Sequence, residues 1–303
     1  MSKKVLVLKG GFSAEREVSL VTGDGVEKAL RHKGYEVISF DLTNVWDLID
    51  FIQKEKPDVV FNALHGNWGE DGEIQAFFDM LQIPYTHSGM KASLLGMDKV
   101  LTRLKAQECG IKVAEAQKFT FAEYKNKGTV IKYPYVLKPV ADGSSVGVYI
   151  VQNEQDAAKV AYPSDNTELL CERYIKGKEL TVMVWKGKAF VVTELKPSVE
   201  FYDYQAKYTN GMTQHILPAD IPNSATKIAL RNAEKIHAAL GCSMLSRSDF
   251  RYNEQDGVVF LEINTNPGMT PLSLVPEQAK FVGISYEDLC AELVENALCR
   301  NKN

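Results

Sequence analysis

The sequence predicts an α/β chain: an N-terminal parallel-sheet domain followed by two α+β domains. Two observations carry this. Apolar strand segments alternate with helical segments through residues 1–90, whereas from residue 91 onward short strands crowd together. The chain also has 303 residues, more than one hydrophobic core usually serves.

The elements follow in order. Val5 to Leu8 is a short apolar strand ended by Gly10-Gly11, and a helix follows with Ser13 as its N-cap and Gly34 as its stop. Val37 to Phe40 is the next strand. A helix around Trp46 to Lys54 is stopped by Pro57, Val59 to Leu64 is the third strand, and a helix runs from about Glu70 to Leu81. This βαβαβα order implies parallel strands with right-handed crossovers, and ligands on such sheets sit beyond the carboxyl ends of the strands. The polar clusters GGFSAERE and HGNWGEDG occupy two of those ends.

Met97 to Glu108 reads as one helix stopped by Gly110. Strands are expected at Val113 to Phe119, Tyr135 to Lys138, Val146 to Val151, Leu169 to Glu172 and Leu180 to Trp185. Lys188 to Leu195 leads into a long polar stretch, residues 197–219, whose length suggests a lid. A helix (Ala225 to Leu240), a hairpin and a helix (Tyr286 to Leu298) complete the chain. The expected domains are residues 1–90, 91–178 and 179–303.

Composition narrows the function. The formal net charge of −4 argues against nucleic acid as main partner. No apolar run is long enough for a membrane span, and MSKK leads into a strand instead of a signal peptide. The five cysteines are scattered without a C-x-x-C, so they read as reduced thiols of a cytoplasmic protein.

The hairpin MLSRSDFRY-NEQDG-VVFLEIN concentrates polar side chains. A two-residue Asp256-Gly257 turn would set residue 249 opposite 264 and 251 opposite 262. Arg247, Asp249, Glu262 and Asn264 then share one face, and a two-residue register slip would keep that face. The bland alternative is a solvated face with an ordinary ion pair, yet both strands are otherwise apolar enough for a core. Asp, Glu and Asn offer only oxygen donors, which suits Mg²⁺ better than zinc. Magnesium commonly completes its shell with phosphate oxygens, and VLKPVADGSSVGVYIV can supply the phosphate site. There Lys138 ends a strand, and a loop of small residues with two hydroxyls lets backbone N–H groups approach an anion. It has no GK[ST] and joins strand to strand, so it is not a P-loop. CERYIKGKEL places Glu172 and Glu179 around a short connection that reads as a linker or a purine clamp.

Taken together, GGFSAEREVSL, ALHGNWGEDG, PYTHSG, MDK at 97–99, KPVADGSSVG, ERY…GKELTV, FYDYQAKY, RSDF and LEINTNPGMTPLSLVP resemble the D-alanine–D-alanine ligases of the ATP-grasp fold, nearly end to end. The resemblance implies ATP-dependent joining of two D-alanines through an acyl phosphate, for peptidoglycan precursors, with two Mg²⁺ (or Mn²⁺) ions. Lys99, Lys138 and Ser145 would contact ATP phosphates; Glu172 and the backbone near Ile175 would read adenine, and Glu179 the ribose. Asp249, Glu262 and Asn264 would hold the metals. Glu15, linked to Ser144 and Tyr208, would bind the ammonium of the first D-alanine, with His65 also on the substrate side. Lys207 and Ser273 would hold the carboxylate of the second, and Arg247 with the Gly268 N–H would form the oxyanion site. A homodimer is implied by the resemblance alone. The sequence departs from the pattern at Leu272, where histidine is common, at His87, read as surface variation, and in Val140-Ala141-Asp142. The rivals are a D-alanine–D-lactate ligase, against which Tyr208 argues, and a catalytically silent nucleotide-binding regulator, against which the intact metal set argues.

Overall fold

In a computed structural model of the chain, residues 2–144, 146–197 and 213–300 are described. The first unit comprises β1 (Lys4–Gly10), α1 (Arg16–His32), β2 (Glu36–Leu42), α2 (Val45–Glu55), β3 (Val59–Asn62) and α3 (Glu73–Leu81). Its strands are parallel in the order β2-β1-β3, as the alternation requires. Leu6, Leu8, Leu48, Ile52, Ile74 and Phe78 fill one face. On the other, Val5, Val7 and Phe61 pack with α1 and with residues nearer the C-terminus.

Helix α1 begins later than expected. Glu15, not Ser13, occupies its N-cap position. Ser13 instead ties two loops together: its Oγ accepts the Glu15 N–H (3.1 Å) and donates to the His65 carbonyl (2.6 Å). Helix α3 likewise starts at Glu73, after Asp71 has accepted the Trp68 and Glu73 N–H groups. This leaves residues 65–72 as a loop carrying His65 and Glu70.

Two helices, α4 (Met90–Met97) and α5 (Lys99–Glu108), replace the single one expected at 97–108. Asp98 breaks them because its carboxylate takes the Val100 and Leu101 N–H groups (2.8 and 2.9 Å), an N-cap that a continuous helix would forgo. Next come β4 (Ala116–Thr120), α6 (Phe121–Lys127), β5 (Tyr135–Pro139), β6 (Tyr149–Val151), α7 (Glu154–Ala157) and β7 (Glu168–Arg173). They form an antiparallel sheet, β4-β7-β5-β6, over a core that includes Phe119, Phe121, Leu137 and Leu169.

The third sheet contains β8 (Lys178–Trp185), β9 (Lys188–Ala189), β10 (Thr193–Pro197), β11 (Thr213–Ile216), β12 (Leu245–Asn253) and β13 (Gly257–Asn264). Its order is β11-β10-β8-β12-β13, with β9 also on β8. Helix α8 (Asn223–Leu240) covers one face, and α9 (Leu274–Phe281) and α10 (Tyr286–Arg300) follow. The stretch expected as a structureless lid is therefore strand at 213–216, paired antiparallel with β10. Residues 198–212 lie outside the described residues.

The hairpin register differs from the expectation, and the difference positions the site. Asn253 pairs with Gly257, so three residues form the turn; the Asn253 side chain accepts the Asp256 N–H (2.6 Å). Arg247 then faces Asn264, and Asp249 faces Glu262. A β-bulge intervenes, because Phe250 pairs with Phe260 and Leu261 has no opposite number. Side chains alternate along a strand, so one extra residue exchanges the two faces. Val258 and Phe260 before the bulge, and Ile263 after it, all enter the core beneath α8 with Leu180, Val182, Val184 and Phe250. Glu262 and Asn264 consequently join Arg247 and Asp249 on the opposite face.

His87 is not surface variation. It is 3 % exposed at φ 68°, its ring packs edge-on against Phe61, and its Nε2 is buried with no hydrogen-bond partner. Burial, reinforced by His65 and Arg300, pushes its pKa down to about 3, and burial takes His237 down to about 4. The unfolded chain therefore binds protons that the folded chain refuses as pH falls below about 6.5. Stability should decline on that side, each histidine contributing a slope approaching about 1.4 kcal/mol per pH unit. His87→Asn, which tolerates a positive φ, should flatten the decline in urea-unfolding midpoints measured from pH 7 down to pH 4.5. An unchanged slope would show that His87 is proton-accessible when folded.

Candidate active site

Two adjoining cavities open between the three sheets. The first is walled by Val136, Val148, Ile150, Ile175, Leu261 and Leu274, with Lys138, Glu172, Glu179 and Arg251 among its polar groups. The second contains Glu15, His65, Glu70, Lys99, Ser144 and Asn264. Arg247, Glu262 and Gly268 line both, so the cavities meet at those residues.

Strand β5 delivers Lys138 to the first cavity, and β7 delivers Glu172 directly beside it. Glu172 is buried between two cations, pairing with Lys138 through one oxygen and with Arg103 through the other. Arg103 also donates to the Ala114 carbonyl. Nothing in the sequence reading had marked Arg103, although it stands one helical turn from Lys99, on the same face of α5. Ile175, between β7 and β8, is buried against Ala114 and Val259. Gly177 follows at φ 140°, where an added Cβ would lie 2.2 Å from the Tyr252 carbonyl oxygen, so glycine is required there.

Lys99 opens α5 and reaches the loop after β5: its backbone N–H bonds the Val140 carbonyl (3.0 Å) and its ammonium the Asp142 carbonyl. Burial lowers its pKa; Glu262 and Asp142 oppose that, while Lys138 adds to it. The same loop turns back on Glu15. Ser144 adopts φ 50°, and a Cβ on Gly143 would come within 2.9 Å of Glu15 Oε1. Ser145, Lys207 and Tyr208 lie outside the described residues.

His65 is held from both sides, with Thr22 Oγ1 at 3.0 Å from Nε2 and Glu70 Oε1 at 3.1 Å from Nδ1. The second Glu70 oxygen accepts from Asn264 Nδ2 (3.3 Å), which links the N-terminal loop to the end of β13. Burial pushes the Glu70 carboxyl above its ordinary pKa; His65 opposes this, the neighbouring Glu15 adds to it, and Arg247 opposes it. Glu70 belongs to the polar cluster after the third strand, where helix periodicity had absorbed it into α3.

On the large sheet, Asp249 accepts from Thr181 Oγ1 (2.7 Å) and from Arg247 Nε and Nη2 (3.0 and 2.9 Å). Asn264 Oδ1 takes the Asn266 N–H (2.8 Å), and Asn266 in turn donates to the Leu64 carbonyl (2.9 Å). A carbonyl oxygen has two lone pairs, so Asn264 Oδ1 retains capacity for a cation. Among the described residues no three His, Cys, Asp or Glu side chains cluster into a metal cage. Two carboxylates plus one amide fit a hard ion whose remaining ligands come from phosphate and water. Ser273 sits at the N-cap position of α9, where its Oγ accepts the Thr270 N–H (3.0 Å). Gly268 adjoins it, since a Cβ there would lie 3.0 Å from Ser273 Oγ. Leu272, partly exposed, also lines the first cavity. No described helix is long and apolar enough to cross a membrane.

The described site residues thus gather around one pair of cavities, and the chain as a whole is similar to known proteins. Models of the D-ala D-ala ligase N-terminus and C-terminus match residues 49–88 and 106–295. The D-alanine–D-alanine ligase of Rhizorhabdus wittichii is 47 % identical over 304 residues, covering 97 % of this chain and 96 % of its own. That of Zymomonas mobilis subsp. mobilis is 48 % identical over 308 residues, covering 99 % and 95 %. The crystal structure of the D-alanine–D-alanine ligase from Bacillus anthracis complexed with ATP matches at a TM-score of 0.83 and 30 % identity, over 100 % of this chain and 99 % of that one. The chain belongs to the D-alanine–D-alanine ligase family and has its ATP-grasp fold.

Proposed function

We propose that this enzyme joins two D-alanines with ATP, giving D-alanyl-D-alanine, ADP and phosphate for peptidoglycan precursor synthesis. The observation that carries the reading is the meeting of an apolar-walled cavity and an acid-lined cavity at Arg247, Glu262 and Gly268. In-line transfer from ATP to a carboxylate needs such a junction.

In this reading the apolar walls take adenine, with Glu172 and the backbone near Ile175 at its edge and Glu179 at the ribose. Lys99, Lys138 and the loop around Ser144 and Ser145 receive the phosphates. Glu15, with His65 and Glu70 behind it, binds the ammonium of the first D-alanine and turns its carboxylate toward the γ-phosphate. Asp249, Glu262 and Asn264 would hold the Mg²⁺ ions, which when bound offset phosphate charge. The carboxylate oxygen attacks the γ-phosphorus, the bond from that phosphorus to the β–γ bridging oxygen breaks, and ADP departs to leave an acyl phosphate. The second D-alanine, its carboxylate on Ser273 and Lys207, then attacks the acyl carbon with its amine. Arg247 and the Gly268 N–H stabilise the oxyanion that develops, and phosphate leaves. We infer three domains, residues 1–90, 91–178 and 179–303, that enclose the nucleotide.

Phosphate release measured with ATP and D-alanine, D-alanine plus D-lactate, or L-alanine tests this reading. D-alanine alone should support turnover with one dipeptide per phosphate, and L-alanine should not. ATP turnover indifferent to D-alanine would overturn the reading. Depsipeptide as the main product in the D-lactate arm would reassign the second substrate.

A further inference from the structure

Arg251 has no part in the chemistry above, yet its side chain lines the nucleotide cavity. It is the next residue on the face that carries Arg247 and Asp249, two positions further along β12. Across the sheet it stands directly opposite Glu179 of β8. Its Nη2 lies 2.8 Å from Glu179 Oε2, and its Nη1 donates to the Gly177 carbonyl (3.1 Å). The two side chains are only 16 % and 14 % exposed, so the pair is shielded from water on most sides.

We propose that Arg251 is a positioning residue for nucleotide selection: it holds the Glu179 carboxylate ready for the vicinal ribose hydroxyls, so that the enzyme prefers ATP to 2′-deoxy-ATP. The inference rests on the reading of Glu179 as the ribose contact. A glutamate has three rotatable bonds and loses that freedom on binding a ligand. A guanidinium with two fixed acceptors, one of them main chain, supplies a rigid fork that orients the carboxylate before nucleotide arrives. Preorganisation of this kind appears as affinity, and only for a ligand that uses the oriented group. The same fork joins Glu179 to Gly177, so the ribose contact and the purine-edge segment are set by one side chain. A purely structural cross-strand pair would instead affect every nucleotide alike.

The test is kcat/KM for ATP and for 2′-deoxy-ATP, with thermal midpoints, in the parent enzyme and in Arg251→Met, Arg251→Lys and Glu179→Gln. Arg251→Met should raise KM for ATP by about tenfold, the scale of one charge-assisted hydrogen bond. It should leave kcat within about twofold and cost 2′-deoxy-ATP, which offers Glu179 only its 3′-hydroxyl, distinctly less, so the preference shrinks. Lysine should restore part of the preference, because it keeps the charge but not the fork. If Glu179→Gln removes the preference and Arg251→Met does not, the proposal fails while the ribose reading stands. If Glu179→Gln leaves the preference untouched, the ribose reading itself fails. Equal losses for both nucleotides in Arg251→Met would make the pair a structural one and overturn the proposal.

Discussion

Glu262→Gln is expected to lower ligase turnover by roughly 10²- to 10³-fold, the scale of losing one preorganised charge contact to the transition state. Glu262 lines both cavities, so its carboxylate stands where the γ-phosphate and the attacking oxygen would meet. The amide keeps the shape and removes one anionic oxygen from the proposed metal set and one counter-charge from Lys99. The fold should survive, because the side chain is only partly buried. Asp249→Asn should give a similar loss of turnover with some loss of stability, since Asp249 also anchors Arg247 and Thr181. Phosphate release at millimolar magnesium, beside urea-unfolding midpoints, checks both. Near-parental turnover in either variant would make this face a solvated ion pair without a metal role.

Arg103→Met is expected to destabilise the protein by about 3–5 kcal/mol, as removal of one partner from a buried ion pair commonly does. The loss is double: the Ala114 carbonyl forfeits its donor, and Glu172 keeps Lys138 as its one remaining partner of that triad. Lys138 should then be drawn more tightly onto Glu172 and away from phosphate, so ATP affinity should fall by roughly tenfold or more. Adding Glu172→Gln to Arg103→Met should lower stability further, because the buried Lys138 ammonium then loses its counter-charge. Chemical denaturation of the two single variants and the double variant measures this coupling. Additive losses would mean that the pair contributes nothing through its charge.

Much of this was legible because alternation is a local property. The parallel N-terminal sheet follows from three apolar runs separated by helical periods. The common face of Arg247, Asp249, Glu262 and Asn264 follows from two-residue periodicity, which survived a wrong turn length. What stayed hidden depended on side chains meeting across distance. Asp98 divides a helix because its carboxylate prefers two N–H groups to a continued spiral. Ser13 serves a loop and not a cap because the His65 carbonyl is near. His87 is buried against Phe61 and feels the charge of Arg300 at the end of α10, and neither is close to it in sequence. Arg103 and Arg251 were within reach: each continues a spacing already used for its neighbour, one turn along a helix or one step along a strand. The register error had two local sources, a three-residue turn in place of two and the unpaired Leu261.

That unpaired residue decides how the hairpin absorbs its own length. At the tip, residues 254–256 face solvent or the connecting segment, and one residue more can be looped out without disturbing either strand. Between Phe260 and Asn264 the ladder is less forgiving. If Leu261 entered it opposite Asp249, Glu262 would fall opposite Ser248, and alternation would turn Glu262 and Asn264 into the apolar layer under α8 and Ile263 out toward the nucleotide. Deleting Leu261 would remove the bulge and still leave Glu262 opposite Asp249 and Asn264 opposite Arg247. A hairpin of the same length without its bulge would thus be a dead enzyme, whereas one shortened at 261 would keep both side chains on the cavity face. Which residue stands at 261 adjusts the cavity wall; that it stays out of the ladder decides which way two proposed metal ligands point. In this family member the arithmetic of the ladder, as much as its chemistry, is under functional constraint.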